Sequence, residues 1–146
     1  MLLLLIKLEP YVKEAVRKAR VARLATVDDK AQPYLVPVVF VFDHECFFIP
    51  LDKKRKKVKP AKLRRIKNIE KNPNVALLID EYSDDWSKLF FVMVLGKASI
   101  IGVEQGELLT KVHKLLFRKY PQYKRVGLGE SCIMIYPRKV IFWKNK

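Results

Sequence analysis

Apolar residues change their spacing repeatedly along this chain, and the changes mark out its elements. Val12, Ala15, Val16 and Ala19 recur at helical spacing, and Pro10 suits a first turn, so a helix is predicted over Leu8 to Arg20. Val21 to Val27 then reads as a strand, and the polar turn 28–32 leads to a second, Val- and Phe-rich strand over Pro33 to Phe42. A tight turn at Asp43-His44-Glu45 precedes a third strand, Cys46 to Pro50, and these three are expected to form a meander. Leu63, Ile66 and Ile69 put a narrow apolar stripe on a helix running from Pro60 to Lys71, which Asn72-Pro73-Asn74 stops. Val75 to Asp80 is a short apolar strand, Glu81 to Trp86 a loop, and Leu89 to Ile101 a long strand with a bend or bulge at Gly96. An amphipathic helix is predicted over Val103 to Tyr120, then a loop to Gly129, then strands Ser131 to Tyr136 and Arg138 to Trp143 joined at Pro137.

Seven short strands with interposed helices predict a mainly β fold with helices (α+β), a closed and mostly antiparallel barrel in one domain over 1–146. Closure removes exposed strand edges, which suits a chain that is 50% apolar. Strand order does not follow from the sequence.

Charge alters this picture in one place. The net charge is +15, and +10 of it falls between Lys53 and Lys71, where eleven Lys or Arg meet a single acid, Glu70. The chain therefore carries one concentrated anion-attracting element, suited to a phosphorylated cofactor or another polyanion. Its five glycines form no Gly-x-Gly-x-x-Gly cradle, so a dinucleotide fingerprint is absent. No Ser-His-Asp or Cys-His constellation stands out. Cys46 and Cys132 read as two buried thiols, and His44 shares a strand face with Cys46, too few ligands for a zinc site. The apolar run Met1 to Ile6 is too short to span a membrane and lacks a cleavage site. A cytoplasmic protein without a membrane partner is expected.

Several segments together resemble the FMN-binding split barrels of the pyridoxamine 5′-phosphate oxidase-like family. They are Arg23-Leu-Ala-Thr-Val27, Pro33-Tyr-Leu-Val-Pro-Val38, Phe47-Phe-Ile-Pro-Leu51, the stretch from Lys62 through the Asn72-Pro73 turn to Asp80, and Asp85-Trp86-Ser87 followed by Val92 to Gly96. The nearest branch is the coenzyme F420-dependent one. The resemblance implies a split β-barrel, a homodimer and two cofactor sites at the subunit interface, binding coenzyme F420 or FMN. It implies an oxidoreductase that moves a hydride to or from an unidentified small molecule. Arg65, seven residues before Asn72, matches the family's phosphate-binding cation; Arg64 matches a second contact and Lys62 a third. Pro37 and Val38 match the strand against the ring. Pro50 and Leu51 match a strand end where a hydroxyl residue is commoner. Asp85, Trp86, Ser87 and Lys88 match the loop that reaches the cofactor, across the dimer or within one subunit. Ala25 stands where pyridoxamine-phosphate oxidases carry Lys, and their Gln is replaced near Phe91, so vitamin B6 chemistry is not expected.

Each of these residues also has a plainer reading. Arg64 and Arg65 fit a solvated helix face, Lys53 to Lys57 a solvated loop, and Trp86 an interface or core anchor. Asp85 is expected to orient a Lys or Arg, and one of Phe90 and Phe91 to enter the core. Two other functions remain open: a noncatalytic flavin-binding carrier, and a nucleic-acid module built on Lys53 to Lys71. The helix lacks interleaved aromatic residues for base stacking, which counts against the second.

Overall fold

The computed structural model describes residues 7–52 and 63–145. The N-terminal run 1–6, the basic run Lys53 to Lys57 and Lys62 lie outside the described residues. Helix α1 covers Pro10–Lys18, followed by strands β1 (Ala22–Val27), β2 (Pro33–Val38), β3 (Val41–Phe42) and β4 (Phe47–Pro50). Helix α2 (Arg64–Lys71) leads into β5 (Asn74–Glu81) and β6 (Phe90–Ile101). After α3 (Gly106–Lys119) and the short α4 (Tyr123–Val126) comes β7 (Cys132–Lys144). Every paired neighbour is antiparallel, in the order β2-β1-β5-β6-β7-β4-β3. The fold is therefore an α+β split barrel. β2 and β3 end the sheet with no ladder between them among the described residues, so the barrel is split rather than sealed.

The meander expected of the first three strands does not form. β1 and β2 pair, but β4 lies at the far end of the sheet between β3 and β7. The predicted strand Pro33 to Phe42 breaks at Val39-Phe40, and the chain crosses there from one end of the sheet to the other. Phe40 is fully buried at this corner, away from the ladder, so its polar backbone needs another partner. Tyr120 supplies it: its hydroxyl accepts from the Phe40 amide at 3.3 Å and donates to the Arg20 carbonyl at 2.9 Å. Tyr120→Phe strands the Phe40 N–H in a buried site, and a loss of about 1–3 kcal/mol is expected. Urea unfolding of the two proteins measures it; equal midpoints would show that the corner does not need the hydroxyl.

The two C-terminal strands of the sequence are one. Pro137 does not end β7, because the register shifts there: Leu95 faces Lys139 and Gly96 faces Pro137, leaving Arg138 as the extra residue of a bulge. Proline, lacking an N–H, fits such a position. A Cβ on Gly96 would collide with the Tyr136 carbonyl, so the expected bulge at this glycine rests on close backbone approach. The concave face of the sheet holds Leu24, Leu77, Ile79, Val92, Val94, Ile133 and Ile135, all fully buried. α1 covers this core with Val12 and Val16, Leu8 joins them from just before the helix, and α2 adds Ile66 and Ile69. A second cluster lies where α3 sets Leu109, Val112 and Leu116 against Val41, Phe48 and Cys132.

Candidate functional site

α2 follows a leucine in extended conformation, without a side-chain N-cap, so tertiary contacts must hold it. Ile66 and Ile69 bury the predicted stripe, and Leu63 packs against the same core. Buried Asn68 donates to the Thr26 hydroxyl of β1 at 2.9 Å, fixing the helix rotation. At its end the Asn72 carboxamide accepts from the Asn74 amide at 3.0 Å, turning the chain directly into β5.

That rotation separates the two arginines. Arg64 is exposed and lines a groove of about 450 Å³ with Lys67, Lys71, Asp28, Asp29 and Glu70. The groove is charge-balanced, and Lys71 pairs with Asp29 at 3.6 Å. Asp28 is held below the ordinary carboxylate range by the amides of Gln32 and Lys30, with a smaller attraction from Arg64. Arg65 is half-buried, and its Nε has no hydrogen-bond partner among the described residues. Burying a donor without an acceptor costs about 1–3 kcal/mol, a cost that an acceptor oxygen reaching this nitrogen would remove.

Pro50 and Leu51 are at the same end of the barrel. Leu51 joins Ile66 and Ile69 in the core, so only its backbone is available to a ligand. Gly129 packs so closely on the Leu51 carbonyl that a Cβ there would collide with it. Pro37 and Val38 point to opposite faces: Val38 is buried inside and Pro37 is exposed outside. A ring lying outside the barrel can therefore meet the Pro37 side chain but not that of Val38.

The loop Asp85–Lys88 lies at the other end of β5. Glu81 precedes it, whereas α2 meets β5 at Asn74, so roughly 20 Å of strand separates the two ends. Among the described residues Asp85 pairs with no Lys or Arg, where one was expected. Its carboxylate accepts from the Ser87 amide at 3.1 Å and hydroxyl at 2.7 Å, capping a single 3-10 turn over Trp86–Lys88. Asn145 ties the turn down by donating to the Trp86 carbonyl at 2.8 Å. Trp86 is 63% exposed, so it anchors no core in this chain. Phe90 packs against the core, and Phe91 faces outward, stacked on Trp143 at 5.9 Å.

The outer face of the sheet is an apolar surface that the sequence reading missed. Leu35, Ala25, Ala76 and Leu95 lie in one row, and Pro37, Arg23, Leu78, Met93 and Ile141 in the next. Asp80, Phe91 and Trp143 follow, with Arg23 bound to Asp80 at 2.8 Å. None of these side chains is fully buried, and Leu35 is 65% exposed. Ala25 belongs to this surface. The available signal was the unbroken apolar runs of β5 and β6, where a one-sided sheet alternates.

Cys46 and Cys132 are buried free thiols, and burial pushes each up to about 12. His44 does not share a face with Cys46: it is exposed in the turn, in the left-handed region at φ 80°.

The family model for pyridoxamine 5′-phosphate oxidase matches residues 8–144. None of the curated proteins matches this sequence. Among solved structures, a conserved hypothetical protein of Mycobacterium tuberculosis is 21% identical, with a TM-score of 0.73 over 96% of this chain and 86% of its own. The heme storage protein HutZ of Vibrio cholerae is 20% identical, with a TM-score of 0.71 over 95% of each chain. An FAD-binding protein of Mesorhizobium loti is 19% identical, with a TM-score of 0.69 over 99% of this chain and 100% of its own. At these identities the likeness is one of fold.

Proposed function

The chain belongs to the pyridoxamine 5′-phosphate oxidase family, and on that premise we propose that it is a cytoplasmic oxidoreductase binding FMN or coenzyme F420 at the interface of a homodimer. The carrying observation is Arg65, whose buried Nε has no partner among the described residues at the family's phosphate position. A phosphate oxygen there completes a charge-assisted hydrogen bond that no described residue supplies. Arg64 adds a second cation, weakened by the acids sharing its groove. Lys62 is the third proposed contact.

A second copy of the chain covers the apolar outer face in this reading. That copy brings its Asp85–Lys88 loop to the cofactor from the far end of its β5. Pro37 meets the ring on the outer face, Val38 stiffens the strand from within, and Pro50 with the Leu51 backbone borders the ribityl chain. The bound cofactor supplies hydride transfer to or from a small molecule. The protein's residues bind and orient it, and the apposed apolar faces exclude water. The absence of aromatic residues interleaved along α2 counts against nucleic acid as its partner.

Titrating the apo-protein with FMN and coenzyme F420 in parallel, followed by fluorescence, tests the assignment. Tight binding of either supports it, and the tighter ligand names the cofactor. Binding of neither removes the proposal. A bound cofactor that no reductant turns over would make the protein a carrier.

A further inference from the structure

A second groove, of about 700 Å³, opens between α1, β3 and α3 and shares no lining residue with the groove at α2. Val41, Phe42 and Leu115 give it an apolar floor, and Lys13, Arg17, Arg20, Arg118 and Lys119 a basic wall. Among the described residues lining it Glu14 is the one carboxylate, and it is engaged by Arg17 at 2.7 Å and by Lys18 at 3.4 Å. Among the described residues, Lys13, Arg118 and Lys119 have no carboxylate within 4.0 Å.

Lys119 differs from an ordinary solvated lysine. Its ammonium sits 3.9 Å from the centroid of the buried Phe40 ring and 5.4 Å from that of Tyr120. Arg20 lies beside it, its guanidinium 4.8 Å above the Tyr120 ring and donating to the Lys119 carbonyl at 2.8 Å. Burial first, and then the charge of Arg20, bring Lys119 down to about 8. Lys119 is thus a half-buried cation over aromatic rings with the exposed Arg20 guanidinium beside it, and neither has a carboxylate within 4.0 Å among the described residues. His44 stands at the edge of the same groove, its imidazole edge-on to Phe42 at 6.1 Å. A surface patch of lysines needs no such arrangement; a receptor for a small anion does.

We propose that this groove is a binding site for a small amphipathic anion, an aromatic or branched aliphatic body carrying one carboxylate or phosphate. The body covers Val41, Phe42 and Leu115. The anionic group meets Lys119 and Arg20, with Lys13 and Arg118 adding longer-range attraction. The volume lies within the range usual for small-molecule pockets. The site shares no residue with the one assigned to the cofactor.

Calorimetric titration of the full chain with 2-naphthoate, 2-naphthylmethanol and inorganic phosphate is the test. Naphthoate is expected to bind, with the neutral alcohol and phosphate alone each at least about 10-fold weaker, as loss of a charge-assisted contact or of the apolar body requires. Lys119→Met is expected to weaken naphthoate by at least about 10-fold, Arg118→Met by less, and Arg65→Glu not at all. No naphthoate binding, equal affinity for the alcohol or for phosphate, or unchanged affinity in Lys119→Met overturns the proposal.

Lys119→Met is expected to fold. A lysine whose folded pKa is about 8, below the ordinary 10.5, opposes folding while charged, so its removal raises the melting temperature at pH 7. For the same reason the lysine contributes a gain in stability between pH 8 and 10.5, and the variant lacks it. The charged or titratable groups around it are Lys13, Glu14, Arg17, Arg20, His44, Arg118 and Tyr120, so the difference between the two proteins isolates Lys119.

Discussion

Arg65→Glu is expected to abolish binding of FMN and of coenzyme F420 alike, lowering affinity by at least about 100-fold. The estimate follows from the contact itself. A hydrogen bond to a charged group contributes about 1.5–3 kcal/mol, and placing a carboxylate against a phosphate adds repulsion to that loss. Arg65→Lys keeps the charge but loses the planar fork and the Nε donor, so a loss of about 10-fold is expected. Arg64→Ala should cost less than either, because Arg64 is exposed and shares its groove with Asp28, Asp29 and Glu70. The ordering Glu, Lys, then Arg64→Ala is the readout, followed by fluorescence titration. A control separates this loss from misfolding. Among the described residues the Arg65 Nε is a buried donor without a partner, so Arg65→Leu should leave apo stability equal or raised while losing the cofactor. A destabilised Arg65→Leu protein would mean that the arginine has a structural partner, and unchanged affinity in Arg65→Glu would end the phosphate assignment.

How much of this was legible in the sequence depended on the range of the interaction that decides each element. α2 was readable because its determinants are local: Ile66, Ile69 and the Asn-Pro stop hold, but Leu63 is extended and the helix starts at Arg64, inside the range expected from Pro60. The bulge at Gly96 was readable for the same reason. The crossing at Val39-Phe40 was not, because the residue that stabilises it, Tyr120, lies 80 positions away. Pro137 misled by the same route: a local rule ends a strand at proline, but the register of β6 absorbs it as a bulge. The resemblance around the Asn-Pro turn singled out both arginines, with Arg65 first, yet nothing local shows that Arg64 is exposed and Arg65 half-buried. The Asn68–Thr26 bond between α2 and β1 decides it by setting the helix rotation. The groove under Lys119 is assembled from α1, β3 and α3, and no single segment announces it.

Leu78→Asp is expected to convert a dimer into a monomer and to weaken cofactor binding with it. Leu78 sits in the middle row of the outer face, between Arg23 and Met93. Carboxylates buried there would lack partners, since the nearby Arg23 is already bound to Asp80. A two-fold interface repeats each change. A loss of about 2 kcal/mol per copy therefore weakens association by about 1000-fold. Sedimentation equilibrium should then give the single-chain mass of 17.1 kDa where the unmodified protein gives twice that. The cofactor readout carries the more specific argument. Arg65 and the Asp85–Lys88 loop flank opposite ends of β5, so a loop that serves the cofactor must come from the second copy. A monomeric variant with intact Arg65 should then show the same loss of affinity as Trp86→Ala in the dimer, or a larger one. A monomer that binds as tightly as the dimer would confine the cofactor site to one chain and leave Trp86 without a role in it. A protein that is monomeric before any substitution would remove the dimer altogether, and with it the proposed reason for the apolar outer face.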